Sequence, residues 1–200
     1  TLDNKILQHK GLTVDLVGTN PVWNGLVSYW RMEDVTDSVG SLDGTLYNAG
    51  YLPTFENGGM NNKCMVMHGN GVSNRSYMRV SSNGYNTDIA VQTFTIAGWM
   101  KQATTKQHIF WSYDYTSVAP PYYAQHIRFN SVGGFDFYFN RNGVVKGIYN
   151  TTTGVSNDTW YHLVMTVTTS SAKAYINGNL VGNNTTDTGN ITYYNQIVAI

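Results

Sequence analysis

Hydrolysis of a glycosidic bond needs paired carboxylates, and this 200-residue chain has two glutamates, Glu33 and Glu56, among its 12 acidic residues. Glu33 adjoins Asp34, so on a strand the two side chains would face opposite sides. Glu56 falls in a Gly/Asn-rich stretch read as a turn. The five histidines, His9, His68, His108, His126 and His162, show no metal-ligand spacing. No Gly-x-Ser-x-Gly elbow presents a nucleophile. The chemistry that remains is recognition. Tyr113, Asp114, Tyr115, Tyr122, Tyr123 and Gln125 crowd one segment. Aromatic faces beside amide and carboxylate groups suit a sugar ring, whereas the same tyrosines also suit packing on the sheet or on a partner chain. The only dense acidic cluster runs from Glu33 and Asp34 through Asp37 to Asp43, the type of oxygen-rich loop that calcium needs.

The elements that must position these groups are strands. Asn-Gly occurs at residues 24, 57, 70, 83, 142 and 177, and Asp43-Gly44 adds a seventh turn pair. Asn-Gly suits tight hairpins, whose central residues need positive φ. Between the turns the period is two. Phe135, Phe137 and Phe139 alternate with Asp136, Tyr138 and Asn140; Phe94, Ile96 and Gly98 alternate with Thr95, Ala97 and Trp99. Hairpins are expected over Ala172–Gly182 and Phe135–Ile148, and a long loop over Ser112–Tyr123. Many short strands with regular turns predict a sandwich or barrel. Residues 1–22, with Leu12, Val14 and Leu16 on one side of a strand, read as an N-terminal arm before a domain over 23–200.

Composition excludes several partners. Charged residues are 12% of the chain and cancel to zero, so no basic field awaits a nucleic acid. No apolar run is long enough to span a membrane. The 22 Asn and 23 Thr, with 15 Tyr, point to a polar, aromatic protein of an extracellular, cell or virus-particle surface. Cys64 is single, so no internal disulfide forms, and its apolar neighbours predict a small buried hydrophobe. Sequons at Asn74, Asn150, Asn157, Asn183, Asn184 and Asn190 are candidate glycosylation sites, in a composition that makes such motifs common.

Six segments in order resemble the laminin-G-like, concanavalin A-like lectin/glucanase superfamily: Gly25–Asp34, Asp37–Leu46, Met65–Gly71, Phe94–Lys101, Trp160–Thr166 and Ala174–Gly182. The resemblance implies an all-β jelly-roll sandwich of two antiparallel sheets, with Leu26–Trp30 as a first strand. It also implies that a calcium ion can be held by Asp37 and Asp43, with Asn70 assisting where the family has Asp. The superfamily's glucanases carry Glu-x-Asp-x-Glu on one strand, which is missing here. Its alginate lyases use Gln, His, Arg and Tyr, to which Gln125-His126-Ile127-Arg128 and Tyr193-Tyr194-Asn195-Gln196 are superficially similar. The family continues with one more strand after the position of Ile200, so an open edge is expected, which the arm Leu12–Leu16 of this or a neighbouring copy would fill. The resulting expectation is a non-catalytic adhesion or glycan-binding module. The alternatives are a structural subunit of a filament, fibre or shell assembled through the arm, and a polysaccharide lyase or hydrolase.

Overall fold

The computed structural model describes residues 7–9, 12–14, 25–48, 50–60, 62–68, 76–80, 90–103, 108–113, 124–193 and 198–200, the side chains of 7–9, 12–14 and 48 excepted. Among them there is no helix and there are fifteen strands. In chain order these are β1 (Leu7–His9), β2 (Leu12–Val14), β3 (Thr45–Asn48), β4 (Thr54–Asn57), β5 (Lys63–Val66), β6 (Ser76–Arg79), β7 (Phe94–Lys101), β8 (His108–Tyr113), β9 (Gln125–Phe129), β10 (Phe135–Arg141), β11 (Val144–Asn150), β12 (Trp160–Val167), β13 (Ala172–Ile176), β14 (Asn179–Asn184) and β15 (Val198–Ala199). A seven-stranded sheet runs β11-β10-β9-β8-β15-β6-β3, and a four-stranded sheet runs β14-β13-β12-β7. All pairings are antiparallel. β4 and β5 form a separate hairpin.

Alternation builds the core as expected. Phe135, Phe137 and Phe139 are at most 2% exposed and share one core cluster with Leu163, Met165 and Val167, which are fully buried. Tyr161 of the small sheet stands edge-on to Phe135 and Phe129 of the large one, at 5.1 and 6.2 Å between ring centroids. Gly98 makes a second bridge, because any Cβ there would lie 2.4 Å from Phe110 Cζ. The two predicted hairpins form, and Asn142-Gly143 and Asn177-Gly178 take the positive φ their turns require.

Four expectations change. The first is the strand at Leu26–Trp30, of which only a single bridge, Trp30 to Asp37, is present. Its backbone goes elsewhere: the Tyr29 amide donates to Asp37 Oδ1 at 2.9 Å and the Tyr29 carbonyl accepts from Ser38 N. Second, Glu33 and Asp34 lie in a bend rather than on a strand, while Glu56 lies on β4 rather than in a turn. Third, Ser112 and Tyr113 belong to β8, not to a loop. Fourth, the polar alternates on β9 and β10 are buried as well as the apolar ones: His126, Asp136 and Asn140 are at most 2% exposed. Asp136 is satisfied there by Arg128 Nε at 2.7 Å and Asn130 Nδ2 at 3.0 Å. In the arm, Leu12–Val14 is a strand and its partner is β1, with Leu7 opposite Val14; Leu16 lies outside the described residues.

Arg141, at the end of β10, ties the layers together. It is 1% exposed and sits 4.9 Å from the Phe139 ring centroid. Its guanidinium donates to the carbonyls of Thr168 and Asp187, to Thr169 O at 3.1 Å and to Ser171 O at 3.4 Å. One side chain from the large sheet thus satisfies the turn that joins β12 to β13 in the small sheet. Burial lowers the guanidinium pKa, opposed by Asp187, but leaves it far too high to lose its charge at neutral pH.

Candidate binding surface

Registered partners share a face of a sheet, so the outer face of the four-stranded sheet can be read row by row. Trp160 pairs with Lys101, His162 with Trp99, and Val164 with both Ala97 and Tyr175. Thr166 pairs with Thr95 and with Lys173. The intervening residues Tyr161, Leu163, Met165 and Val167 point into the core. Trp99 is 39% exposed, a large value for an indole on a paired strand, and the His162 ring lies 5.0 Å from it, tilted by 40°. Lys101 Nζ stands 5.4 Å from the Trp160 ring centroid. The β13–β14 turn folds over the end of β12: Asn177 N donates to His162 O at 2.8 Å, and Asn177 Oδ1 accepts from His162 N at 2.9 Å. Trp99, Trp160, His162 and Asn177 line a shallow depression of about 430 Å³. Two indoles, an imidazole, an amide and an ammonium on a rigid sheet can stack on the apolar face of a sugar ring and hydrogen-bond its hydroxyls.

The sequence contained this surface in its parity. Alternation places Trp99 with Thr95 and His162 with Val164 and Thr166, all outward. Of Trp160, Tyr161 and His162, only Tyr161 is core.

The tyrosine segment fares differently. Tyr113 and Gln125 are 0% and 1% exposed. Tyr113 stands edge-on to Tyr193 at 4.9 Å; Gln125 Oε1 accepts from Trp111 Nε1 at 2.9 Å, and its Nε2 donates to the Tyr193 hydroxyl at 2.7 Å. Their position between the sheets gives a ligand nothing to touch, so they brace the core instead. Asp114, Tyr115, Tyr122 and Tyr123 lie outside the described residues. The Gln-His-Arg set does not converge, since adjacent strand residues point to opposite faces. Gln125 points inward, and His126 points outward beside Ser112 Oγ at 3.1 Å. Burial, with Arg128 adding to it, holds His126 neutral by pushing its pKa well below the usual value.

The acidic loop closes on itself. Asp37 is 6% exposed, and its Oδ1 accepts from the amides of Tyr29, Val39 and Gly40 at 2.9, 3.1 and 2.9 Å. Asp37 Oδ2 accepts from Leu42 N at 3.2 Å, and Asp43 Oδ1 accepts from Asp37 N at 2.9 Å. Both aspartates therefore cap backbone. Asn70 lies outside the described residues, among which no cluster of three or more His, Cys, Asp or Glu residues suits a metal ion. Burial raises the Asp37 pKa, but the amide donors outweigh it and hold the carboxyl below its ordinary 3.8. A depressed folded pKa gives stability that is complete above the unfolded value and is lost as pH falls through the folded one. Asp37→Asn is therefore expected to lower stability by about 2 kcal/mol at pH 7. The gap to the native protein should close below pH 3.8 in urea melts across that range.

Of the sequons, Asn150, Asn157, Asn183 and Asn190 are exposed, while Asn74 lies outside the described residues. The Asn150 amide donates to the Tyr138 hydroxyl at 2.8 Å. Asn184 is committed within the fold, its Nδ2 donating to Gly147 O and Asp187 Oδ2 at 3.1 and 2.8 Å. Cys64 is half-buried on β5. Burial raises its pKa, opposed by Lys101 and assisted by Glu56.

A two-layer antiparallel sandwich with an aromatic outer face defines a protein of the lectin-like β-sandwich class. The family profile of the concanavalin A-like lectin/glucanases superfamily matches residues 72–200, and the chain belongs to that superfamily. No curated protein matches it. Among solved structures it is similar to domain 4 of AbnA, an extracellular GH43 arabinanase of Geobacillus stearothermophilus, in complex with arabinotriose. That match has a TM-score of 0.59 and 20% identity, over 84% of this chain and 77% of that one. The binding domain of Paraclostridial Mosquitocidal Protein 1 gives a TM-score of 0.55 and 16% identity over 86% of this chain. The botulinum neurotoxin serotype D binding domain gives 0.52 and 14% over 81%. The chain spans about two fifths of these toxin domains, 42% and 39%.

Proposed function

We propose that the protein is a non-catalytic glycan-binding module of an extracellular or particle-surface protein, and that it binds through the outer face of the four-stranded sheet. The observation that carries this reading is the exposed Trp99 beside His162, next to the Trp160–Lys101 pair, on four strands whose other face is core. A cluster of partly exposed aromatic rings on one sheet face is the kind of surface that marks an interaction site. The arabinanase domain, a fold relative solved with arabinotriose, supports a sugar as that ligand. No carboxylate stands on these strands, which supports binding without hydrolysis. Isothermal titration with arabinan and polygalacturonate tests the reading. Saturable binding to at least one, with no new reducing ends, is the expected outcome; no heat from either, or release of sugar, contradicts it.

A further inference from the structure

We infer that the glycan taken by this face is acidic, a polyuronate whose carboxylate sits beside Lys101 and Asn177; the inference rests on the binding reading above. Two independent observations carry it. The first is charge. β7, β12, β13 and β14 contain Lys101, Lys173 and His162, and neither Asp nor Glu. Both lysines are registered onto the outer face: Lys101 opposite Trp160, Lys173 opposite Thr166. Six residues of strand place them about 20 Å apart, with Trp99 and Tyr175 in the rows between. Lys101 has no ion pair among the described residues. Two carboxylates stand near it without pairing with it: Glu56, which with Lys101 acts on Cys64, and Asp158, whose amide donates to Gln102 O at 2.7 Å. Glu56 accepts the Thr54 hydroxyl at 2.6 Å and lies 3.9 Å from His68, and Asp158 stands on the turn before β12.

The second observation is the direction of the hydrogen-bonding groups. The Lys101 ammonium has donors only, and so has the Trp160 indole. Asn177 has committed its acceptor, Oδ1, to the His162 amide, while its Nδ2 has no partner among the described residues. These three groups at one end of the face offer donors, and a neutral hydroxyl answers donors less well than a carboxylate does. The face has no arginine fork for a sulfate ester's three oxygens; an ammonium and an amide match the two oxygens of a uronate.

The test uses the whole chain with polygalacturonate, arabinan and dextran sulfate, in affinity electrophoresis at low and high salt. Polygalacturonate is expected to bind tightest and to weaken as salt rises. Lys101→Gln should weaken it about fivefold, the scale of one exposed ion pair, and weaken any arabinan binding by clearly less. If arabinan binds as tightly as polygalacturonate and Lys101→Gln changes neither, the acidic assignment falls and the binding surface stands. The same assignment falls if dextran sulfate alone is retained. If Trp99→Ala leaves all retention unaltered, the surface itself is wrong and both readings fall together.

Discussion

Arg141→Met is expected to unfold in urea with about 3 kcal/mol less stability than the native chain. The methionine keeps an apolar stem but removes the guanidinium from beside Phe139 and its donors to four carbonyls. Thr169 O keeps the Gly189 amide at 2.9 Å and Ser171 O keeps the Thr168 amide at 2.8 Å, so the carbonyls of Thr168 and Asp187 bear the loss. Exchanging a buried ion for a hydrophobe is often harmless when its partner is exchanged too. Here the partners are backbone carbonyls, which no substitution can remove, and each one left dry costs about 1–3 kcal/mol. With two carbonyls losing their donor the sum is about 2–6 kcal/mol, and the exposure of Thr169 and Ser170 lets water keep it toward the lower end. For a domain of this length the loss corresponds to a drop of about 6–12 °C in Tm. Circular dichroism melts check it. A variant as stable as the parent would show that the turn between β12 and β13 holds without Arg141.

The second large effect is on binding. Trp99→Ala together with Trp160→Ala should weaken polysaccharide affinity at least about 30-fold, since buried aromatic anchors each contribute about 2 kcal/mol or more. Both residues point away from the core, so Tm should move little. Tyr51→Ala is the control: Tyr51 is 71% exposed but belongs to neither sheet, and its loss should leave affinity unchanged. Isothermal titration of the three proteins separates these outcomes.

Much of the sandwich was readable in the chain because its causes are local. The Phe135–Phe139 alternation and the Asn-Gly turns at 142 and 177 specify two hairpins with no distant information, but not the register shifts after Phe137 and Ala174. Leu26–Trp30 was misread because the cause is long-range along the chain. Its alternation suits a strand, but the Asp37 carboxylate, eight residues beyond Tyr29, takes the amide a sheet partner would need. Burial of His126 and Asn140 was illegible for a related reason: alternation assigns a face, not what covers it. The site was half legible. Parity put Trp99 and His162 on one outer face, but which strands lie side by side, and hence that Trp160, Lys101 and Asn177 join them, depends on pairings between segments about 60 residues apart. The tyrosine-rich segment attracted attention by composition, and Tyr113 and Gln125 proved to be core.

The most direct test is the behaviour of the indole N–H signals in NMR during titration with trigalacturonate and with arabinotriose. If the four-stranded face is the binding surface, the signals of Trp99 and Trp160 shift in step with binding, while that of Trp111, 7% exposed between the sheets, stays in place. Saturable binding with Trp99 and Trp160 unmoved would contradict it.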